Sequence, residues 1–149
     1  MGDIVAVKGL GAIVEKVRDG ADLIVVLLKA AEADADLRTR TDLADVLAEA
    51  GNTECDFTNY ARKTISNASI TVTEDASGQP VDISIGDVTW TDAGNGTNNT
   101  TAKLLVCEDG AADSDRVFLS AHDFVETTTG TDLVAVEDTD GFYGASQAP

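Results

Sequence analysis

The sequence predicts a mainly β, α+β fold: an antiparallel β-sandwich or barrel-like domain with one or two short helices in the N-terminal third. Two observations predict this class. After Gly51, Thr, Val and Ile become dense while Gly, Asn and Asp recur about every ten residues, which is typical of antiparallel strands joined by turns. Before Gly51, short segments carry apolar residues at helical spacing.

Length and composition predict a single globular domain. The chain has 149 residues, of which 43% are apolar and 25% are charged, and both values are ordinary for one folded domain. We expect this domain to cover residues 1–149, with a flexible N-terminal segment at 1–11 and a flexible tail at 142–149. Cys55 and Cys107 lie far apart in the sequence, and we expect them to be unpaired.

The N-terminal third is predicted to hold two short helices and one strand. The first helix covers Ala12–Arg18, because its apolar residues recur at helical spacing and Asp19-Gly20 follows as a stop signal. Residues 22–31 are an apolar run of strand length, which favours a buried strand. An acidic connector at 32–40 leads to a second helix at 41–50, with Thr41-Asp42 as the N-cap signal and Gly51 as the C-cap.

The remaining two-thirds are predicted to be antiparallel β structure. Residues 81–85 alternate apolar and polar side chains, as a half-buried strand does. The predicted strands lie near 60–65, 69–74, 81–90, 102–108, 116–119 and 133–136. The polar turn at 92–99 is expected to be flexible and exposed.

The charge excludes two classes of partner. Ten Lys and Arg residues oppose 27 Asp and Glu residues, so the net charge is −17. Affinity for a phosphate backbone comes from cationic side chains, so we expect no nucleic acid partner, and the same argument excludes anionic membranes. The longest apolar run is far shorter than the ~20 residues that span a bilayer, and the N-terminus lacks a signal-peptide pattern. We therefore expect a soluble protein that is made in the cytoplasm.

No motif predicts an enzyme. Ser120, His122 and Asp123 are the side-chain types of a hydrolase triad, but neighbours this close in sequence cannot generally align nucleophile, base and orienting carboxylate. No G-x-S-x-G turn accompanies them. We predict no catalytic residue, and a hydrolase remains a minor alternative.

The acidic clusters do not form a recognisable metal motif. Residues 137–141 are similar to part of an EF-hand loop, but the position of the bidentate Glu falls within 147–149, where there is none. The carboxylates of loop 109–115 are interpreted as solvated turn residues rather than a weak cation site. Arg62 is expected to pair locally with a carboxylate. We predict no metal and no cofactor.

A series of short segments occurs in an order that is similar to a known group of proteins. In chain order they are ADLIVVLL at 21–28, TDLADV at 41–46, FTNYARKT at 57–64, VDI at 81–83, DVTWT at 87–91, KLLVCE at 103–108 and GF at 141–142. Across roughly residues 12–145 the chain resembles small virion structural proteins of tailed bacteriophages, found among head and head–tail genes.

The resemblance implies a capsid decoration or cement protein that binds the outer face of the major capsid protein lattice and stabilises the head. It implies a homo-oligomer, with a trimer favoured, on the exterior of the virion. The charge fits that position, because packaged DNA repels an acidic protein. We expect the contacts with neighbouring subunits to involve seven residues: Ile4, Val5, Val7, Leu10, Trp90, Phe142 and Tyr143. For Trp90, a place in the core is the alternative.

Two further functions stay open at this point. The first is a structural protein of the neck or tail tube, which composition does not separate from a decoration protein. A carbohydrate- or host-surface-binding module displayed on the virion is suggested by the Asn/Gly/Thr loop at 92–101 and by scattered aromatic residues.

Overall fold

The computed structural model describes residues 3–6, 12–74, 80–137 and 143–144. The strands are β1 (Ile4–Val5), β2 (Leu23–Ala30), β3 (Thr53–Glu54), β4 (Lys63–Ile65), β5 (Thr71–Glu74), β6 (Pro80–Ser84), β7 (Val88–Ala93), β8 (Lys103–Glu108), β9 (Phe118–Asp123), β10 (Thr131–Ala135) and β11 (Tyr143–Gly144). The helices are α1 (Ala12–Arg18), α2 (Asp34–Leu37) and α3 (Leu43–Ala48). All strand pairs are antiparallel, which confirms the predicted mainly β, α+β class.

A six-stranded central sheet has the order β1-β9-β8-β2-β3, and β4 also pairs with β2. The outer edge of β2 is shared, because β4 pairs with its first half and β3 with its end. Between these partners, the Leu27 carbonyl accepts a hydrogen bond from Cys55 N at 2.9 Å. The Leu27 N–H donates to the Tyr60 hydroxyl at 3.1 Å. The ladder of β2 therefore continues through the junction of β3 and β4.

Both faces of the central sheet are buried, which explains the apolar run in β2. Leu23, Val25 and Leu27 point to one face, which we call the sandwich face, where smaller sheets cover them. The residues between them point to the opposite face, which we call the helix face. The predicted buried strand is confirmed.

The layer on the sandwich face contains α1, the β7–β10 pair and the three-stranded sheet β11-β6-β5. Trp90 of β7 lies in this core with no exposed surface, and its Nε1 donates to the Ala61 carbonyl at 2.8 Å. The structure thus places Trp90 in the core, and its indole cannot reach another chain in this conformation. The packing of two β layers is sandwich-like, as predicted.

On the helix face, Leu37 of α2 and three residues of α3 (Leu43, Val46 and Leu47) pack against the sheet. The acidic connector at 32–40 was not expected to contain a helix. Its single turn forms because Leu37 is completely buried there, and a one-turn helix has too few apolar residues to show a period.

The second predicted helix is shorter than its expected range, 41–50. Asp42 is the N-cap, and its Oδ1 accepts from Asp45 N at 2.9 Å. Glu49 is extended at ψ 131° and ends α3 before Gly51 is reached, so the predicted Gly51 C-cap is wrong.

Two predicted strands have different bounds. The strand predicted over 81–90 is two strands, because Gly86 at φ +74° turns the chain between β6 and β7. The strand predicted over 116–119 begins at Phe118 and continues to Asp123, because Ser120 and Ala121 pair with strands on both sides and the polar residues His122 and Asp123 pair with β8. The strands near 60–65, 69–74, 102–108 and 133–136 are found with small shifts at their ends.

The polar loop after β7 is held in place rather than loose. Gly94 N donates to the Thr58 carbonyl at 2.9 Å, and Thr97 N donates to the Thr58 hydroxyl at 2.8 Å. On the other side, Asn99 N donates to the Thr128 hydroxyl at 2.9 Å. Residues 95–98 are exposed, as predicted.

Within the described ranges, no helix has the length and apolar character that crossing a membrane requires.

Candidate functional site: a cavity beside Ser120, His122 and Asp3

A cavity of about 270 Å³ lies between the two β layers. Leu104 and Val106 of β8 form its wall on the central sheet, and Val88 and Ala135 form the opposite wall. Among the residues that the structure describes, three titratable ones also line it: Asp3, His122 and Glu137. Val136, which is 76% exposed, and Gly86 lie at the open end.

The register of the sheet brings Asp3 beside His122. Strand β1 pairs with β9 so that Ile4 lies opposite Ala121 and Val5 opposite Ser120, and the preceding residue, Asp3, therefore lies at His122. Ser120 and His122 are two residues apart in a strand, so their side chains share a face. That face is the sandwich face, because His122 is opposite Leu104 of β8.

These three side chains form a continuous row. Ser120 Oγ lies 3.1 Å from His122 Nε2, and His122 Nδ1 lies 3.1 Å from Asp3 Oδ2. Asp3 Oδ1 accepts a second hydrogen bond from Asp123 N at 2.9 Å. The carboxylate that orients the imidazole is thus Asp3, whereas the sequence suggested Asp123.

Asp123 belongs to a different cluster on the helix face. Its Oδ1 lies 2.6 Å from Lys103 Nζ, which also lies 2.9 Å from Asp34 Oδ1 of α2. Lys103 has no exposed surface. Burial opposes its charge, but the hydrogen bonds that Lys103 donates to Asp123 and Asp34 prevail and raise the pKa of Lys103. Because successive side chains of β9 point to opposite faces of the sheet, His122 lies on the sandwich face and Asp123 on the helix face.

The three side chains follow one another as in the catalytic triad of a serine hydrolase, but a substrate has no access to the serine. Ser120 is 1% exposed, and among the described residues the cavity wall contains His122 rather than Ser120. Strand β9 has a pairing partner on each edge at Ser120, which commits the local peptide N–H groups to the sheet ladder. Stabilising an oxyanion requires N–H donors that are not already in hydrogen bonds between strands. The geometry favours a row that orients the imidazole.

The two carboxylates at the cavity are both fixed by hydrogen bonds. Burial would raise the pKa of Asp3, but the hydrogen bonds from His122 and Asp123 N outweigh it and lower the pKa. Glu137 accepts from Ser84 Oγ at 2.6 Å, Gly86 N at 2.8 Å and Ile85 N at 3.0 Å. The cavity mouth therefore presents carboxylate acceptors in defined positions.

The residues expected at subunit contacts are not assembled into one described surface. Ile4 and Val5 form β1 against β9, so this part of the expected flexible segment is paired within the chain. Tyr143 is in β11, where it pairs with Ile83 of β6. Val7, Leu10 and Phe142 lie outside the described residues. Their role in subunit contacts stays a prediction.

The predicted local pairing of Arg62 is confirmed. Its guanidinium contacts Glu54 at 2.7 Å and Asp113 at 2.6 Å. In the same loop, Asp109 and Asp113 both bind Arg116, so these carboxylates hold arginines. Among the described residues, no group of three His, Cys, Asp or Glu side chains is placed to hold a metal ion.

Most basic side chains are neutralised inside the chain. Of the nine Lys and Arg residues in the described ranges, seven form ion pairs with Asp or Glu: Lys16, Arg18, Lys29, Arg40, Arg62, Lys103 and Arg116. The net negative charge therefore comes from the excess of carboxylates over these cations.

Comparison with protein-family models, with curated proteins and with solved structures found no match to this chain.

Proposed function

We propose that this chain is a non-enzymatic structural protein of a tailed-bacteriophage particle. In this proposal it decorates the capsid by binding the outer face of the major capsid protein lattice, and it stabilises the head. The resemblance in the sequence suggests the particle, and the distribution of charge suggests the position on it.

The observation that carries the proposal is the pairing of the basic side chains with carboxylates of the same chain. Seven of the nine described Lys and Arg residues are held by carboxylates of the same chain, while the net charge is −17. In the described ranges only Arg38 and Lys63 are outside these pairs, so few cations are available there to neutralise phosphates. Packaged DNA would repel this chain from the capsid interior, which favours the outer surface.

The fold limits which surfaces can bind a capsid subunit. Both faces of the central sheet are covered by parts of the same chain. Contacts with another protein must therefore use sheet edges, loops, the cavity mouth or the outer surfaces of the elements that cover this sheet. Strand β1 is an edge of the central sheet, and an edge can accept a further strand. Ile4 and Val5 lie on that edge and are half-buried.

The proposal is tested with empty shells of the cognate major capsid protein, assembled without this chain. Purified chain is added, and bound protein is measured by sedimentation while shell disruption is followed by calorimetry. We expect saturable binding and a higher disruption temperature, whereas an unrelated protein of similar negative charge has neither effect. Shells that neither bind the chain nor change in stability would contradict capsid decoration.

A further inference from the structure

We propose that the cavity between the two β layers binds an organic cation: an ammonium or guanidinium group on a short apolar stem. This inference concerns a ligand site and does not depend on the proposed capsid role. Two sources offer this chemistry, a free alkylamine and the Lys or Arg side chain of another protein.

The size and walls of the cavity fit a short apolar stem. Its volume of about 270 Å³ is close to the lower end, about 300 Å³, of small-molecule sites. Leu104 and Val106 face Val88 and Ala135 across it, so an alkyl chain entering it exchanges water for aliphatic contacts. Each methylene buried in this way increases affinity about fourfold.

The mouth supplies hydrogen-bond acceptors for a cationic group. Each carboxylate oxygen can accept two hydrogen bonds. Among the described residues, Asp3 Oδ1 accepts from Asp123 N and Oδ2 contacts His122 Nδ1, which leaves one acceptor position on each oxygen. Glu137 Oε1 accepts from Ile85 N and has one position left as well. The Asp3 side chain is 63% exposed, so a ligand can reach it from solvent.

The charge of the lining selects cations over anions. In the described part of the chain, three titratable residues line the cavity, and two of them, Asp3 and Glu137, are carboxylates. The ring nitrogens of the third, His122, already contact Ser120 and Asp3. The net charge of −17 adds a field that attracts cations and repels anions. The lining carboxylates and the net negative charge both favour binding of an ammonium or guanidinium group. Both disfavour binding of a carboxylate ligand.

The direct test is titration of the ¹⁵N-labelled full chain with hexylammonium, followed by amide chemical shifts. We expect saturable shifts at the amides of Gly86, Glu137 and Asp123, with millimolar or tighter affinity. Ammonium chloride tests charge without a stem, hexanol tests the stem without charge, and hexanoate reverses the charge. Each is expected to bind at least about tenfold more weakly. Equal binding of hexanoate, or shifts that do not saturate, would overturn the proposal.

Variants connect the binding to the cavity. Asp3→Asn removes one mouth carboxylate, and Ala135→Phe fills the cavity while it keeps both carboxylates. Each is expected to weaken hexylammonium binding about tenfold or more. Asp36→Asn is the matched control, since it changes the net charge equally at an exposed position on α2, on the helix face. Undiminished binding in folded Ala135→Phe would overturn the cavity assignment, and undiminished binding in Asp3→Asn would overturn it as well.

A peptide with one central Lys between glycines identifies the source. Competition between this peptide and hexylammonium would support the site and point to a protein side chain. Binding of hexylammonium without binding of the peptide would support the site and point to a free amine. If neither the peptide nor hexylammonium binds, the proposal is overturned. That outcome would not affect the result of the shell-binding experiment.

Discussion

His122 is oriented from both sides by residues that differ in how closely the sequence connects them. Ser120 is two residues away in the same strand, while Asp3 is 119 residues away and reaches the imidazole through the pairing of β1 with β9. A strand of two residues thus determines which carboxylate contacts the histidine.

The Asp3 contact predicts a pH-dependent contribution to stability. The pKa of Asp3 is lower in the folded chain than its ordinary value of 3.8, so its contribution is present above that value and is lost as the pH falls through the folded pKa. Asp3→Asn should lower the free energy of unfolding by less than about 1 kcal/mol at pH 7, because solvent screens this exposed side chain. Urea unfolding should show that difference vanish in acid. A difference that stays constant with pH would contradict this account, and Asp36→Asn is the control.

Burial of Ser120 predicts that it does not act as a nucleophile. Its side chain is 1% exposed beside two paired strands, so a fluorophosphonate reagent should leave it unmodified under conditions that label an active serine hydrolase. Peptide mass spectrometry measures the modification. Labelling of the wild type that is absent from Ser120→Ala would contradict the proposal of a non-enzymatic protein.

Lys103 is predicted to be a large contributor among the charged residues. Lys103→Met leaves Asp34 and Asp123 close together without their shared cation, and we expect a loss of about 3 kcal/mol in the free energy of unfolding. Since the pKa of Lys103 is raised in the fold, its stabilisation is complete below 10.5 and declines as the pH rises through the folded pKa. Urea unfolding measures both effects.

Lys29→Met is the matched control for Lys103→Met. It removes one positive charge from an ion pair with Asp56 whose two side chains are 30% and 66% exposed. Exposed pairs contribute little because water screens them, so its effect should be much smaller. Equal losses in the two variants would show that burial of Lys103 is not what makes its ion pairs important.

At the scale of elements, the loop after β7 depends on a glycine. Gly94 has φ +82°, and a Cβ there would lie 2.1 Å from the Asn98 side chain and 2.4 Å from Thr128 Oγ1. Gly94→Ala should therefore destabilise the fold by more than about 2 kcal/mol in urea unfolding, from the clash together with the left-handed backbone.

Gly20→Ala separates these two causes. Gly20 has a similar φ of +89°, but nothing lies within 4 Å of the position of its Cβ. Its substitution should cost only the backbone term, about 1–2 kcal/mol. If Gly94→Ala is no more destabilising than Gly20→Ala, the loop is not packed as described.

Elements with a local signal were predictable, and elements formed by pairing were not. The period of α1 and the apolar run of β2 are visible in the sequence because a core covers them over several residues. Strands β1 and β3 have two residues each, which is too short for an alternating pattern. The carboxylate beside His122 depends on β1, so its identity required the register of the sheet.

At the scale of the whole molecule, the chain combines a core buried on both faces of its central sheet with a strongly negative exterior. The layers explain why the scattered aromatic residue Trp90 is internal, and the ion pairs explain why few cations face outward. Both features suit a protein that binds other proteins at its edges and stays apart from nucleic acid.

The most direct test of the central claim is the copy number of this chain in purified virions, measured by quantitative mass spectrometry against the major capsid protein. Decoration of the capsid lattice predicts on the order of hundreds of copies per particle, as closed symmetric assembly across the shell requires. About six or twelve copies would instead place the chain at the neck or tail. Virions without this chain would contradict a structural role in the particle.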